Sequence, residues 1–153
     1  MTGYRSRLPC VLDAHGTLTA SSAAAWYARI FTKGRHRGPP PYSPRDLVRN
    51  FAERDATWVL AAVPIAMLDY QTEADSSDTR IRLARRYAEK GGEFPPGIAS
   101  YRSAKVRRTA KAWVRDGNHR VLAAALRGDC AVRMLMPEVE FRVLERDTRE
   151  RRR

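Results

Sequence analysis

A chain of 153 residues has room for one domain with a substantial core plus one smaller appendage, not for two full domains. Its 43% hydrophobic and 30% charged residues match ordinary globular composition and exclude wholesale disorder. The 29 Lys and Arg against 17 Asp and Glu leave a formal net charge of +12, a field that favours phosphate-bearing partners, whether nucleotides, nucleic acid or an anionic membrane.

In chain order, Arg5 and Arg7 are not followed by an apolar stretch of signal-peptide length, so no secretory leader is read. Leu8, Cys10 and Leu12 alternate before Asp13-Ala14-His15-Gly16, and Leu8 to Thr19 is expected to form a hairpin turning there. Ser21 or Ser22 caps a helix through Ala23–Phe31, with Trp26, Tyr27, Ile30 and Phe31 as its packing face, ending near Gly34. The run Arg35-His36-Arg37-Gly38-Pro39-Pro40-Pro41 reads as a stiff linker. Ser43-Pro44-Arg45-Asp46 starts a second short helix with apolar Leu47, Val48 and Phe51. A composition shift near Asp55 divides an N-terminal extension, 1–55, from a domain over 56–145, leaving 146–153 as a basic tail that frays over Arg149–Arg153.

Within the domain, Trp58 to Leu68 is a strand-forming run in which Pro64 implies an edge strand or a bulge. That run is also the longest apolar one and is far too short to span a bilayer. Ser76-Ser77-Asp78 caps a helix carrying Ile81, Ala84, Tyr87 and Ala88, stopped by Gly91-Gly92. Phe94-Pro95-Pro96-Gly97 re-enters extended structure, and Ile98–Tyr101 with Ala110–Val114 reads as a hairpin. Its loop holds Arg102, Lys105, Arg107 and Arg108, with Lys111 nearby. This basic cluster either contacts a nucleic-acid backbone, with Tyr101 and Trp113 offering faces for base stacking, or is a solvated hairpin. Asn118–Arg127 is a helix closed by Gly128, and Ala131–Met136 a strand closed by Pro137. Cys10 and Cys130 are too few for a disulfide framework and lack metal-ligand spacing, so both are expected to be reduced thiols in a cytoplasmic protein. His15 and His36 lie in predicted loops without partner ligands, and no metal site is read.

The junction Asp116-Gly117-Asn118-His119-Arg120 carries the chemistry. Glycine lets a ligand approach the backbone, and a helix start directs N–H donors and the positive end of its dipole at an anion. Arg120 adds a forked, permanently charged donor and His119 a pH-dependent one. Asp116 either ligates a nucleotide-bound metal or fixes the Gly117 turn through its own backbone, the second being favoured.

The run Val-Arg-Asp-Gly-Asn-His-Arg-Val-Leu-Ala-Ala (114–124), followed by Leu126-Arg127-Gly128 and an apolar strand ending at Pro137, resembles the ParB/sulfiredoxin-like superfamily. Gly117, Arg120 and Ala123 match the ParB-type Gly-x-x-Arg-x-x-Ala box in register. The resemblance covers Trp58 to about Val143, with Val63-Pro64-Ile65 as the family's first strand. It implies an α/β (α+β) fold, a small mixed sheet with packed helices behind a mostly helical N-terminal extension. It also implies a nucleoside triphosphate, ATP or CTP, with or without Mg, bound by its phosphates at Gly117, Asn118, His119 and Arg120. Pro95, Pro96, Asp116 and Ala123 would line the pocket.

Departures narrow the activity. Sulfiredoxins carry a cysteine nucleophile where this chain has Asn118, and Cys130 lies beyond the helix, so sulfiredoxin chemistry is excluded. The sequence stops soon after Pro137, so the partitioning protein's helix-turn-helix DNA reader is not expected. A nucleotide-binding domain with little or no turnover is the leading expectation. The first alternative is a DNA-associated protein working through its basic surface. The second is a free-serine-type kinase needing a carboxylate, for which Asp69, Glu73 and Asp116 are the candidates.

Overall fold

The computed structural model describes residues 6–32, 57–70, 82, 85, 86, 88, 89, 94–102 and 111–151. The sequence folds there as β1 (Asp13–Thr19), α1 (Ala20–Thr32), β2 (Thr57–Pro64), a 3-10 turn (Ile65–Met67), β3 (Leu68–Asp69), β4 (Gly97–Ser100), β5 (Ala112–Asp116), α2 (Asn118–Arg127), β6 (Ala131–Pro137) and α3 (Glu138–Arg151). The strands form one mixed sheet in the order β1-β2-β6-β4-β5-β3. β1–β2, β2–β6 and β4–β5 pair antiparallel, whereas β4–β6 and β3–β5 pair parallel. The expected mixed α/β sheet with packed helices is thus present.

Alternation along β2 divides the molecule into two layers. Val59, Ala61 and Val63 face one way, into a core with Met134 and Met136 of β6, Val121 and Ala124 of α2, and Phe141 and Leu144 of α3. Trp58 and Leu60 face the other way, where they meet Leu135 of β6, Ile98 of β4, and Ala23, Ala24 and Tyr27 of α1. Fully burying each large apolar side chain of this kind contributes about 1.5–3 kcal/mol. α1 therefore covers one face of the sheet and α2 and α3 the other.

Several expectations are corrected. Leu8–Thr19 is not a hairpin: Asp13–Thr19 is a single strand that pairs with β2, and the Asp13–Gly16 stretch carries a register shift between Ala14 and Gly16. β1 and α1, both N-terminal to Asp55, thus belong to the same sheet and its cover. α1 begins at Ala20, and Thr19 caps it, its hydroxyl accepting the Ser22 N–H at 3.1 Å. Pro64 does not put β2 at an edge, because β2 lies between β1 and β6; proline is tolerated as the last paired residue, opposite Ala131.

Part of the expected tail is helical. α3 continues to Arg151, and buried Tyr101 anchors it, its hydroxyl donating to Asp147 at 2.6 Å and its backbone N–H to Glu140 at 2.7 Å. Arg149 and Arg142 add ion pairs with Glu145 at 3.7 and 3.4 Å. Tyr101, 1% exposed, is consequently not a stacking surface.

The cysteines are not free thiols: Cys10 and Cys130 form a disulfide across 120 positions. Spacing gave no hint of it, since only the folded path of residues 6–12 brings the two together. Such bonds persist mainly in oxidising compartments, so cysteine usage does not favour the reducing cytosol. Among the described residues no helix is long and apolar enough to cross a membrane.

The expected β4–β5 antiparallel pair, α2 and β6 are all present. Arg82, Arg85, Arg86, Ala88 and Glu89 are helical, as expected for the Ser77–Lys90 region. The linker at 35–41, the helix start at Ser43, His36 and Glu73 lie outside the described residues.

Candidate anion site at the start of α2

β5 ends at Asp116, 7% exposed, and the chain turns through Gly117 at φ 93°, a left-handed conformation that only glycine adopts at little cost. A Cβ at Gly117 would come within 2.8 Å of the Arg120 guanidinium and 3.0 Å of the Gly97 Cα. The position is thus restricted by both φ and space. The first bond of α2 runs from the Val121 N–H to the Gly117 carbonyl at 3.0 Å. The first turn contains no acidic residue, so nothing on the helix itself opposes the positive dipole end. The far end closes with Gly128 at φ 84°, where the N–H groups of Asp129 and Gly128 donate to the carbonyls of Ala124 and Ala125 at 2.9 and 3.1 Å.

Arg120, the third residue of the helix, points back toward its N-terminus, the direction helical side chains favour. It is 4% exposed and its Nη2 donates to the Tyr27 hydroxyl at 2.8 Å. Tyr27 in turn donates to Asp116 Oδ2, which stands 3.8 Å from Arg120 Nη2. Burial raises the Tyr27 phenol pKa; Arg120 works against that rise and Asp116 adds to it, so the hydroxyl stays protonated and bridges the pair. Because α1 and α2 cover opposite faces, the cluster joins them around the end of the sheet. Asp116 Oδ2 accepts from Tyr27, a partner that the local sequence did not suggest.

Behind this cluster lies a small cavity of about 10 Å³, lined by Phe94, Pro95, Gly97, Arg120, Asp129 and Arg133 among others, with room for about one water. Asp129 accepts from Arg127 Nε at 3.0 Å and from the Ser6 N–H at 3.0 Å. Arg127 stacks over Phe94 at 4.1 Å, and Arg133 donates to the Phe94 carbonyl at 3.2 Å. A nucleotide does not fit inside this space, and Gly117, Asn118 and His119, at the start of α2, lie outside its lining. Gly117 and Asn118 are half-buried there and His119 is exposed.

Of the expected pocket-lining residues, only Pro95 lines the cavity. Pro96 and Ala123 are packed in the interior. Asp69 is exposed and paired with Trp113, three residues before Asp116, which places it about 10 Å down the strand direction from the loop. Arg102 and Lys111 are exposed; Lys105, Arg107 and Arg108 lie outside the described residues.

Sequence reasoning missed Tyr27, Phe94, Asp129 and Arg133. Only a tyrosine within an alanine-rich helix hinted at the first, and its expected packing role gave no sign of a polar partner.

No family model, no curated protein and no solved structure matches this chain.

Proposed function

We propose that the chain is a ParB-like nucleotide-binding domain, holding the phosphates of a nucleoside triphosphate at the start of α2 with little or no turnover. The observation that carries this reading is the junction itself: a strand end, a left-handed Gly117, a helix with an acid-free first turn, and a guanidinium packed against the glycine. Helix dipole, backbone donors and Arg120 all act with the sign that attracts phosphate. Asp116 offsets part of the Arg120 charge, so the backbone and His119 carry most of the contact, and Arg120 with Tyr27 fixes the loop's shape.

Calorimetry against the four ribonucleoside triphosphates, with and without Mg, tests the reading. Arg120→Ala is a poor probe because the side chain is buried. Asn118→Asp separates binding from folding: a carboxylate in the first turn favours the helix by about 0.3–1 kcal/mol, yet it repels phosphate. The expected result is an unchanged or raised melting temperature with at least a tenfold loss of nucleotide affinity. No binding by the native protein, or equal binding by the variant, refutes the proposal.

A second reading has its own observation. β5 exposes Trp113 (38%) between Lys111 and Arg115, with Arg102 nearby in sequence and also exposed. The β4–β5 register shift sets Arg115 and Asp116 together opposite Ile98, so Arg115 shares the Trp113 face. An aromatic ring flanked by cations suits single-stranded nucleic acid.

A further inference from the structure

The cavity behind the Arg120 cluster has a wall whose charges do not balance. Its charged lining residues are Arg120, Asp129 and Arg133, and much of the rest is apolar, including Phe94, Val121, Val132 and Met134. Asp129 is already supplied with donors: Arg127 Nε reaches its two oxygens at 3.0 and 3.1 Å, and the Ser6 N–H reaches Oδ1 at 3.0 Å. Arg120 stands 3.8 Å from Asp116. Half-buried Arg133 instead donates through Nη2 to the neutral Phe94 carbonyl at 3.2 Å, and its Nε is buried with no hydrogen-bond partner. The guanidiniums of Arg120, Arg127 and Arg133 are thus set against the carboxylates of Asp116 and Asp129 only, which leaves one positive charge in excess.

We propose that this cavity binds one monatomic anion, a halide such as chloride, with Arg133 Nε as its hydrogen-bond donor and Arg120 as the second cation of the wall. Size sets the first limit. A volume of about 10 Å³ admits one sphere of roughly water size, which excludes phosphate, sulfate and carboxylates. Charge then decides between water and ion. Water would satisfy Nε but leave the excess charge uncompensated, and a desolvated charge without a counterpart is costly. An anion satisfies both, and a guanidinium bond to an anion is about twice as strong as a neutral one. The largely apolar remainder of the wall also offers water few of the two to four polar partners it requires. The site is independent of the proposed nucleotide, because Gly117, Asn118 and His119 are not part of its lining.

Thermal unfolding of the full chain in sodium chloride, bromide and gluconate at one ionic strength tests the proposal. The expected result is a saturable rise in melting temperature, by about 3 °C, in chloride and bromide over gluconate. Arg133→Met keeps the side chain's reach but removes both charge and donor, so the difference between salts should vanish whatever the variant's own stability. Arg133→Gln serves the same purpose where the methionine variant does not fold. Chloride NMR on the native protein reads binding directly: excess line broadening should appear and be reversed by bromide. Equal melting in all three salts overturns the proposal. A difference that survives removal of the Arg133 charge also overturns it, since the ion would then be attracted by the net positive charge of the chain, as does broadening that bromide fails to displace.

Discussion

Cutting the Cys10–Cys130 bond is a perturbation whose size follows from chain topology. The bond spans 120 positions, so it removes loop-closure entropy from the unfolded chain of about 2.1 + 1.5R ln n, or about 16 cal/mol/K for that span, which is about 5 kcal/mol at 25 °C. That is a ceiling. Release of residues 6–10 in the folded protein returns part of the entropy, about 1–2 kcal/mol per freed backbone residue before the lost contacts are counted. The expected loss on reduction is therefore about 2–4 kcal/mol, out of the roughly 5–15 kcal/mol typical of a domain. Urea unfolding followed by circular dichroism, with and without a dithiol, measures it, and the Cys10→Ser/Cys130→Ser variant should match the reduced native protein without any reductant. The urea dependence should steepen as the unlinked unfolded chain exposes more surface. Coincident curves for oxidised and reduced protein, in a sample whose bond is verified by thiol titration, would refute the reasoning.

Two further outcomes test other parts of the structure. The Tyr27 phenol is raised above its ordinary 10.0 mainly by burial, so its contribution to stability is fully present below about pH 10 and is lost as the pH rises toward the folded value. Native protein should lose stability above pH 10 by up to about 1.4 kcal/mol per pH unit more than Tyr27→Phe, a variant costing about 1–3 kcal/mol at neutral pH because Asp116 and Arg120 lose their bridge; parallel alkaline profiles would contradict this. Trp113→Ala should weaken single-stranded nucleic-acid binding by about 1–3 kcal/mol while leaving the salt slope unchanged, since no charge is removed; a filter-binding series at rising salt checks both, and equal affinity removes the stacking reading.

What the sequence revealed and what it hid divide along the range of the forces involved. α2 was legible because everything that delimits it is local: Gly117 and Gly128 both take positive φ at its ends, and a buried stripe through Val121 and Ala124 lies between them. β6 was legible for the same reason, an apolar run closed by Pro137. Pro64 misled because its missing N–H matters only where a partner needs it, and the partner, Ala131, is supplied by a strand 67 positions on. The C-terminal run looked frayed because its composition is dominated by arginine and glutamate; its order comes from Tyr101, 46 positions away, meeting Asp147.

The same distinction applies to the site. From local chemistry Arg120 was expected to contact a phosphate. Tyr27, 93 positions earlier, takes its Nη2 hydrogen bond instead. The consequence is mechanistic: a guanidinium bonded to a buried tyrosine and 3.8 Å from a carboxylate is a poor free contact but a firm brace. It holds the Gly117 turn against Gly97 and ties α1 to α2. On the proposed reading, a phosphate arriving at the start of α2 would meet a loop whose geometry is already fixed, which lowers the ordering cost of binding without requiring that the arginine touch the ligand.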